Sequence, residues 1–176
     1  MRHEDHVALI RDGAAGAGPR WLELGAGDGA FTLALADVLG GAGHIVALDL
    51  DGRALTTLAA RVGGQFPETT LETVTGDLRA SLPAGPFDGV LAANSLHFVK
   101  QLAPVLASIH AALRPGGRLV IVEYDADVGN QWVPYPISFA RWEGTAADAG
   151  FADPRRLHRV PSRFLGSIYA AVATRR

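Results

Sequence analysis

The chain contains no cysteine. Disulfides, thiolate metal sites and a cysteine nucleophile are therefore excluded, and several enzyme classes go with them. No window approaches the roughly 20 uninterrupted apolar residues of a membrane span, so no membrane partner is expected. The opening, MRHEDHVALI, has two acids among its first five residues and no long apolar block. It does not read as a secretion signal, which points to the cytoplasm. A strong charge of either sign is also missing: the formal net charge is −2, leaving no overall field for nucleic acid. The charge is uneven along the chain, since residues 151–176 hold six arginines against Asp153 alone. There is no internal repeat and no low-complexity linker.

What is present is enough chain for one domain. At 176 residues, nearly half of them apolar, it can bury one continuous core and is too short for two ordinary domains. A short amphipathic opening, expected to be helical, is followed by the glycine/alanine-rich patch RDGAAGAGPR. From Trp21 short apolar runs alternate with longer stretches of helical period. That alternation signals an α/β fold with a mostly parallel sheet. Strands are expected at 20–24, 44–50, 70–76, 87–94 and 118–124, each apolar at its heart as parallel strands covered on both faces should be. Helices are expected at 31–40, at 51–62 with Asp51 as N-cap, and at 101–117, stopped by Pro115 and two glycines. Beyond the fifth strand, an aromatic-bearing loop at 125–136 precedes a helix at 137–150, with Phe139, Trp142 and Ala146 on one face and Gly150 as its stop. Residues 155–176 read as an antiparallel hairpin closing the sheet.

The segment WLELGAGDGA, residues 21–30, carries the chemistry. Glu23 stands in an apolar strand two residues before a glycine-rich turn, where lost hydration costs several kcal/mol unless a cation or hydrogen-bond donors replace the water. Gly25, Gly27 and Gly29 permit a tight turn and close backbone approach to a ligand, at the strand end where open parallel sheets bind nucleotides. GAGDGA also satisfies the dinucleotide pattern GxGxxA, so a nicotinamide oxidoreductase is an alternative. A carboxylate there repels a pyrophosphate and attracts a ligand carrying ammonium and sulfonium charges.

Residues 23–29, ELGAGDG, fit the first motif, E/D-x-G-x-G-x-G, of the class I S-adenosylmethionine-dependent methyltransferases, which the chain resembles from about Trp21 to its C-terminus. The resemblance implies a Rossmann-like three-layer sandwich, with a seven-stranded, mostly parallel sheet and an antiparallel C-terminal hairpin strand. It implies S-adenosylmethionine as cofactor and S-adenosylhomocysteine as product. Glu23, Gly25, Ala26 and Gly27 fall in its first motif. In VALDLD, Asp49 matches the acid that accepts hydrogen bonds from both ribose hydroxyls, and Leu50 lies against the adenine. In TGDL, Asp77 and Leu78 match the adenine's amino edge, and in FDGVLAANSLHFV, Asn94 matches the methionine part. His97 falls where related small-molecule methyltransferases carry LH or LHH, and is the candidate catalytic residue. On this reading 1–176 is a single methyltransferase domain. Residues 1–18 form a helix or lid, 19–125 the cofactor-binding core, and 126–176 the substrate-side loop, helix and hairpin.

Each assignment has a structural competitor. Asp28 reads as a helix cap. Asp49 is left without a structural task because Asp51 caps the next helix. Asp77 can be a simple turn residue and His97 a structural histidine. His3, Glu4, Asp5 and His6 read as a solvated helix end, and no metal is expected. Arg155, Arg156, Arg159 and Arg163 bind an anionic substrate or nucleic acid, or else protect an edge strand from pairing. Trp132 and Tyr135 form an aromatic wall or lid, or pin their loop. NSLH stands where the family's amide and adenine amino methyltransferases carry NPPY, which favours a small-molecule O-, N- or C-acceptor over a nucleic-acid base. With fewer than twenty residues before the first strand, the acceptor site is open, covered by the N-terminal helix, or completed by a second copy in a homodimer. A catalytically silent cofactor-binding domain is the third alternative.

Overall fold

The computed structural model describes residues 1–176. The chain runs α1 (His3–Ala14), β1 (Arg20–Leu24), α2 (Ala30–Leu39), β2 (His44–Asp49), α3 (Gly52–Gln65), β3 (Thr70–Thr75) and β4 (Phe87–Ala93). It continues through α4 (Leu102–Ala112), β5 (Leu113–Tyr124), α5 (Phe139–Asp148), β6 (Phe151–Pro161) and β7 (Ser167–Arg175). The seven strands form one sheet in the order β3-β2-β1-β4-β5-β7-β6. β1 to β5 are mutually parallel, and β7 runs antiparallel to both of its neighbours.

Side-chain alternation along the strands creates the layers. Leu22 and Leu24 of β1 pack with α4 and α5, including Leu106, Ile109, Trp142 and Ala146. Trp21 packs on the opposite face with Ile10 of α1 and Phe31 and Leu35 of α2. The sheet is thus covered on both sides, which is why its central strands are continuously apolar. Helix α3 presents Leu55, Leu58 and Val62 to the core at helical spacing. Asp51 caps it as expected, accepting from the backbone N–H groups of Arg53 and Ala54.

Three boundaries differ from the sequence reading. Helix α1 continues through Ala14 because its glycine/alanine end buries Gly13 and Ala14, with the Arg118 guanidinium bonded to the carbonyl of Gly13 at 3.0 Å. Helix α4 ends at Ala112, before Pro115, because Leu113 is already extended and pairs with Phe87, after which the register shifts to Gly89 opposite Arg118. RPGG is therefore an irregular lead into β5. Strand β6 begins at Phe151, directly after Gly150 (φ +88°) ends α5, and Asp153 (φ +50°) lies at a register irregularity within it.

Trp21 is fully buried and lies across Gly89 of β4, where an added Cβ would stand 2.4 Å from the indole ring. Gly89→Ala should therefore destabilise the fold by about 1–3 kcal/mol through overpacking, measured by urea denaturation. Gly144→Ala, in α5 with nothing within 4 Å of the new methyl, should stabilise it by about 0.5–1 kcal/mol.

Candidate functional site

The chain winds outward from β1 through β2 to β3, then returns to the other side of β1 to lay down β4 and β5. This reversal opens a crevice beyond the carboxyl ends of β1 and β4. A cavity of about 390 Å³ occupies it, lined from the turn after β1, the end of β2, residues 76–79 and the segment after β4. Six of the nine residues expected to hold a cofactor line it: Gly25, Asp49, Leu50, Asp77, Leu78 and Asn94. Glu23, Ala26 and Gly27 do not. Glu23 is buried at the end of β1, close enough to the cavity-lining Asp49 to feel its charge.

The turn is built by its glycines. The amides of Gly25 and Ala26 both donate to the carbonyl of Leu48, at 2.8 and 3.1 Å. Gly25 has φ +74°, and a Cβ there would meet that of Ser95 at 2.6 Å. Gly27 has φ +54° with nothing within 4 Å of an added Cβ, so its backbone borders open space where a ligand can approach. Gly29 is the N-cap of α2 and no side chain caps that helix, leaving amide donors at its start. Asp28, expected to be the cap, instead reaches Arg61 at 3.4 Å, because its carbonyl also accepts from that guanidinium at 2.7 Å.

Asp49 has a structural task after all. Its carboxylate accepts from the amide of Gly27 at 2.8 Å and from that of Asp51 at 2.8 Å, tying the turn after β1 to the turn after β2. Lone pairs remain on both oxygens for further donors. Asp77 is a turn residue held by Arg79. The guanidinium bonds both carboxylate oxygens, at 2.7–3.0 Å, and keeps the Asp77 carboxyl below its usual range. Arg79, Ser95, Phe98 and Val99 also line the cavity, and no local sequence signal marks the last three.

Glu23 is 2% exposed, and its Oε2 has no hydrogen-bond partner. Burial pushes its carboxyl up to about 8; the nearby Asp49 charge adds to the rise, and the Thr32 hydroxyl counters part of it without meeting hydrogen-bond geometry. Asn94 Oδ1 and Ser95 Oγ, at the end of β4, are likewise buried and unpartnered. Asn94 adopts φ +53°, a left-handed conformation that asparagine tolerates and that few other residues reach cheaply. Asp49, Asn94 and Ser95 thus line the crevice, and the unpartnered Glu23 lies buried near Asp49.

A second buried carboxylate has the opposite character. Glu123, at the end of β5, is fully buried and accepts at Oε1 from the amides of Leu96 and His97, at 2.9 and 3.2 Å. Its Oε2 lies 2.7 Å from Nδ1 of His97. His97 is itself buried, packed against Phe98 and edge-on to Tyr124, and Nε2 is left without a protein partner. Its ring is not part of the cavity wall, although its neighbours Phe98 and Val99 are. Tyr169, opposite Glu123 on β7, has a buried hydroxyl without a partner; burial raises its pKa, and the charges of Glu123 and Asp125 raise it further.

The remaining candidates lie elsewhere. His3 pairs with Asp37 at 2.9 Å and His6 stacks edge-on against Phe31, so they do not converge, and no group of three metal-ligating side chains exists. Arg156 and Arg159 lie within 3.9 and 3.4 Å of Asp125, and all four candidate arginines sit on or beside the edge strand β6. Trp132 and Tyr135 are exposed; Val133 and Ile137, not the aromatics, are the buried anchors of their loop. No helix is long and apolar enough to cross a membrane.

A sequence profile described as a methyltransferase domain matches residues 22–121, more than half of the chain. The chain belongs to the class I S-adenosylmethionine-dependent methyltransferases. Among curated relatives of this family, the 2-phytyl-1,4-naphthoquinone methyltransferase of Nostoc punctiforme is 28% identical over 116 residues, covering 65% of this chain and 50% of the relative. A reducing polyketide synthase of a Penicillium species is 28% identical over 156 residues, 76% of this chain but 6% of that protein. The chain therefore spans half the length of these curated relatives or much less. In fold it resembles the YcgJ protein of Bacillus subtilis (TM-score 0.79, 13% identity, 99% of both chains) and the DszA carbon methyltransferase (TM-score 0.72, 23% identity, 98% of this chain and 50% of that one).

The residues present fit the family's cofactor. A sulfonium with an ammonium group matches a crevice lined by the Asp49 carboxylate with the unpartnered Glu23 buried near it, and the open space at Gly27 admits a ligand against backbone. The raised pKa of Glu23 has a stability consequence. Below about 4.5, its ordinary value, the group is neutral in both folded and unfolded chains and imposes no penalty. As pH rises toward about 8 the unfolded chain ionises first, so stability falls by up to about 1.4 kcal/mol per pH unit. Denaturation midpoints measured from pH 5 to 8 should decline in the wild type and flatten in Glu23→Gln. Parallel pH dependence in the two proteins refutes this account.

Proposed function

We propose that the protein transfers the methyl group of S-adenosylmethionine to a carbon acid in a small molecule, with His97 removing the acceptor's proton. The observation that carries this reading is the contrast between two buried carboxylates at the same rim: Glu23 lacks a partner, whereas Glu123 is fully engaged with His97 and its turn. The cofactor supplies a methyl group already activated on sulfur. Asp49 and Leu50 hold the ribose and adenine, Asp77 and Leu78 the adenine edge, and Asn94 the methionine part. Gly25, Ala26 and Gly27 provide the floor, and Glu23, kept protonated by burial in the empty protein, ionises when the cationic ligand arrives.

Glu123 fixes the histidine. With Nδ1–H donated to the carboxylate, the neutral ring presents its lone pair at Nε2, which is the acceptor of the substrate's proton. The electron pair freed at the acceptor carbon forms the new bond to the methyl group as the sulfur–methyl bond breaks, leaving a neutral sulfide. The protein's remaining task is to hold the acceptor in line and exclude water. The family includes a protein described as a ubiquinone/menaquinone biosynthesis C-methyltransferase, from Marinomonas, and structures described as carbon methyltransferases share the fold. The preference for a carbon acid rests on the oriented base at His97, since a carbon acid must lose a proton to react. A cytoplasmic location, a small-molecule partner and the absence of nucleic-acid and membrane partners belong to this reading.

Isothermal titration with S-adenosylmethionine should give saturable binding, weakened by roughly 1–3 kcal/mol in Asp49→Ala and in Glu23→Ala. Binding of NADH with no response to the sulfonium would favour the nicotinamide alternative. Incubation with labelled cofactor and a metabolite extract should yield a methylated product, and silence across broad extracts would favour a non-catalytic binding domain. With an acceptor in hand, His97→Ala should lower turnover by about 10²–10⁴-fold while leaving S-adenosylhomocysteine affinity within threefold. Undiminished turnover removes His97 from the chemistry.

A further inference from the structure

Seven large hydrophobic side chains are left exposed, and six of them stand on loops at the carboxyl rim of the sheet: Leu50, Phe98, Val128, Trp132, Tyr135 and Phe164. Only Met1 lies elsewhere. Scattered exposed apolar residues are ordinary on a protein surface, but their confinement to the end that carries the site is not.

The loop after β5 is also held firmly. The Asn130 side chain accepts from the amides of Trp132 and Val133, each at 2.9 Å, and donates to the carbonyl of Phe164 at 3.4 Å. Ser138 bonds Asp127 at 2.6 Å, and Asp125 accepts from the amide of Phe139 at 3.0 Å. Trp132 and Phe164 are 67% and 68% exposed, yet both sit on this braced framework and are tied to one another's segments through Asn130. Surfaces already ordered before binding lose little entropy when a ligand arrives.

The exposed rim adjoins the cofactor cavity at Phe98. Phe98 lines the cofactor cavity and its ring lies 4.3 Å from that of His97, while the Tyr135 amide donates to the His97 carbonyl at 3.0 Å. Hydrogen bonds thus link the segments that carry Phe98, Tyr135, Trp132 and Phe164 into one framework. We infer that Phe98, Tyr135, Trp132 and Phe164 form the acceptor's binding surface, and that the acceptor is an amphipathic molecule whose acidic carbon meets His97 while a long apolar body lies across these rings. This rests on the carbon-acid reading above.

The wild type supplies its own probe, since Trp21 and Trp142 are fully buried and Trp132 alone is exposed. Protein loaded with S-adenosylhomocysteine would be titrated with acetoacetyl and 3-oxododecanoyl N-acetylcysteamine thioesters, following both heat and Trp emission. The longer thioester should bind at least tenfold more tightly and shift the emission to the blue. In a Trp132→Ala/Phe164→Ala double variant, calorimetry should show that preference falling below threefold, with S-adenosylhomocysteine affinity unchanged within twofold. Equal affinity for the two thioesters, or a preference that survives the double variant, overturns the inference. A Trp132 shift produced by phosphatidylglycerol vesicles or by self-association on concentrating the protein, with no chain-length preference, also overturns it and assigns the rim to a bilayer or a second copy. Failure to bind S-adenosylhomocysteine at all strikes the underlying cofactor reading instead and appears in a separate arm.

Discussion

A carboxylate without a counter-ion, buried at the end of the central strand, is the constraint around which the site is arranged. Glu23 lies between β2 and β4, its backbone fixed by ladders on both sides, so the strand cannot turn the group out to water without losing pairing. The fold accepts a raised pKa instead. Asp49 sharpens the problem by adding a second negative charge, and its position is equally fixed because it bridges the amides of Gly27 and Asp51. On the proposed function, stability and binding are opposed here: the burial of Glu23 that weakens the empty fold as pH rises is what a cationic ligand would relieve.

Glu123 shows that burial alone does not create such a site. It is as deeply buried as Glu23 and also ends a parallel strand, yet two amides and an imidazole satisfy it. The difference lies in the path of the chain beyond each strand end. After β4 the chain makes a tight helical turn, Leu96–Phe98, whose amides face β5, whereas after β1 the chain is drawn toward Leu48 and leaves Oε2 of Glu23 without a donor. One sheet edge thus holds an unsatisfied acid suited to attracting charge and a satisfied acid suited to orienting a base.

The strands, the Asp51 cap and the glycine turn are legible in the sequence because their signals are local: apolar continuity, a capping residue beside its helix, and glycines where positive φ is required. The pairing of His97 with Glu123 is not, because it spans 26 positions and depends on β4 and β5 being neighbours. The structural task of Asp49 is hidden for the same reason, its partner Gly27 being 22 residues away. The end of α4 falls earlier than its sequence suggests because proline and glycine mark where a helix cannot continue, while the actual stop is set by Leu113 pairing with Phe87. Arg79 leaves a usable trace, standing two residues after Asp77 in a turn where the two side chains meet. Phe98 leaves none, since only tertiary structure reveals an aromatic that stays exposed.

The antiparallel β7 gives the rim beside Glu123 its shape. A parallel strand beside β5 would need a helical crossover and would leave the rim next to Glu123 bounded by that connection. Because β7 runs the other way, its first residues lie level with the end of β5, Ile168 opposite Tyr124, and the short turn from β6 arrives at the same rim. That places Phe164 within reach of Asn130 and brings the Asp125 amide against the Ser167 carbonyl at 2.9 Å. The loop after β5 is therefore braced from two directions, by the turn before β7 and by the segment after β4. Strand direction thus sets the frame on which the exposed rings of Trp132 and Phe164 stand.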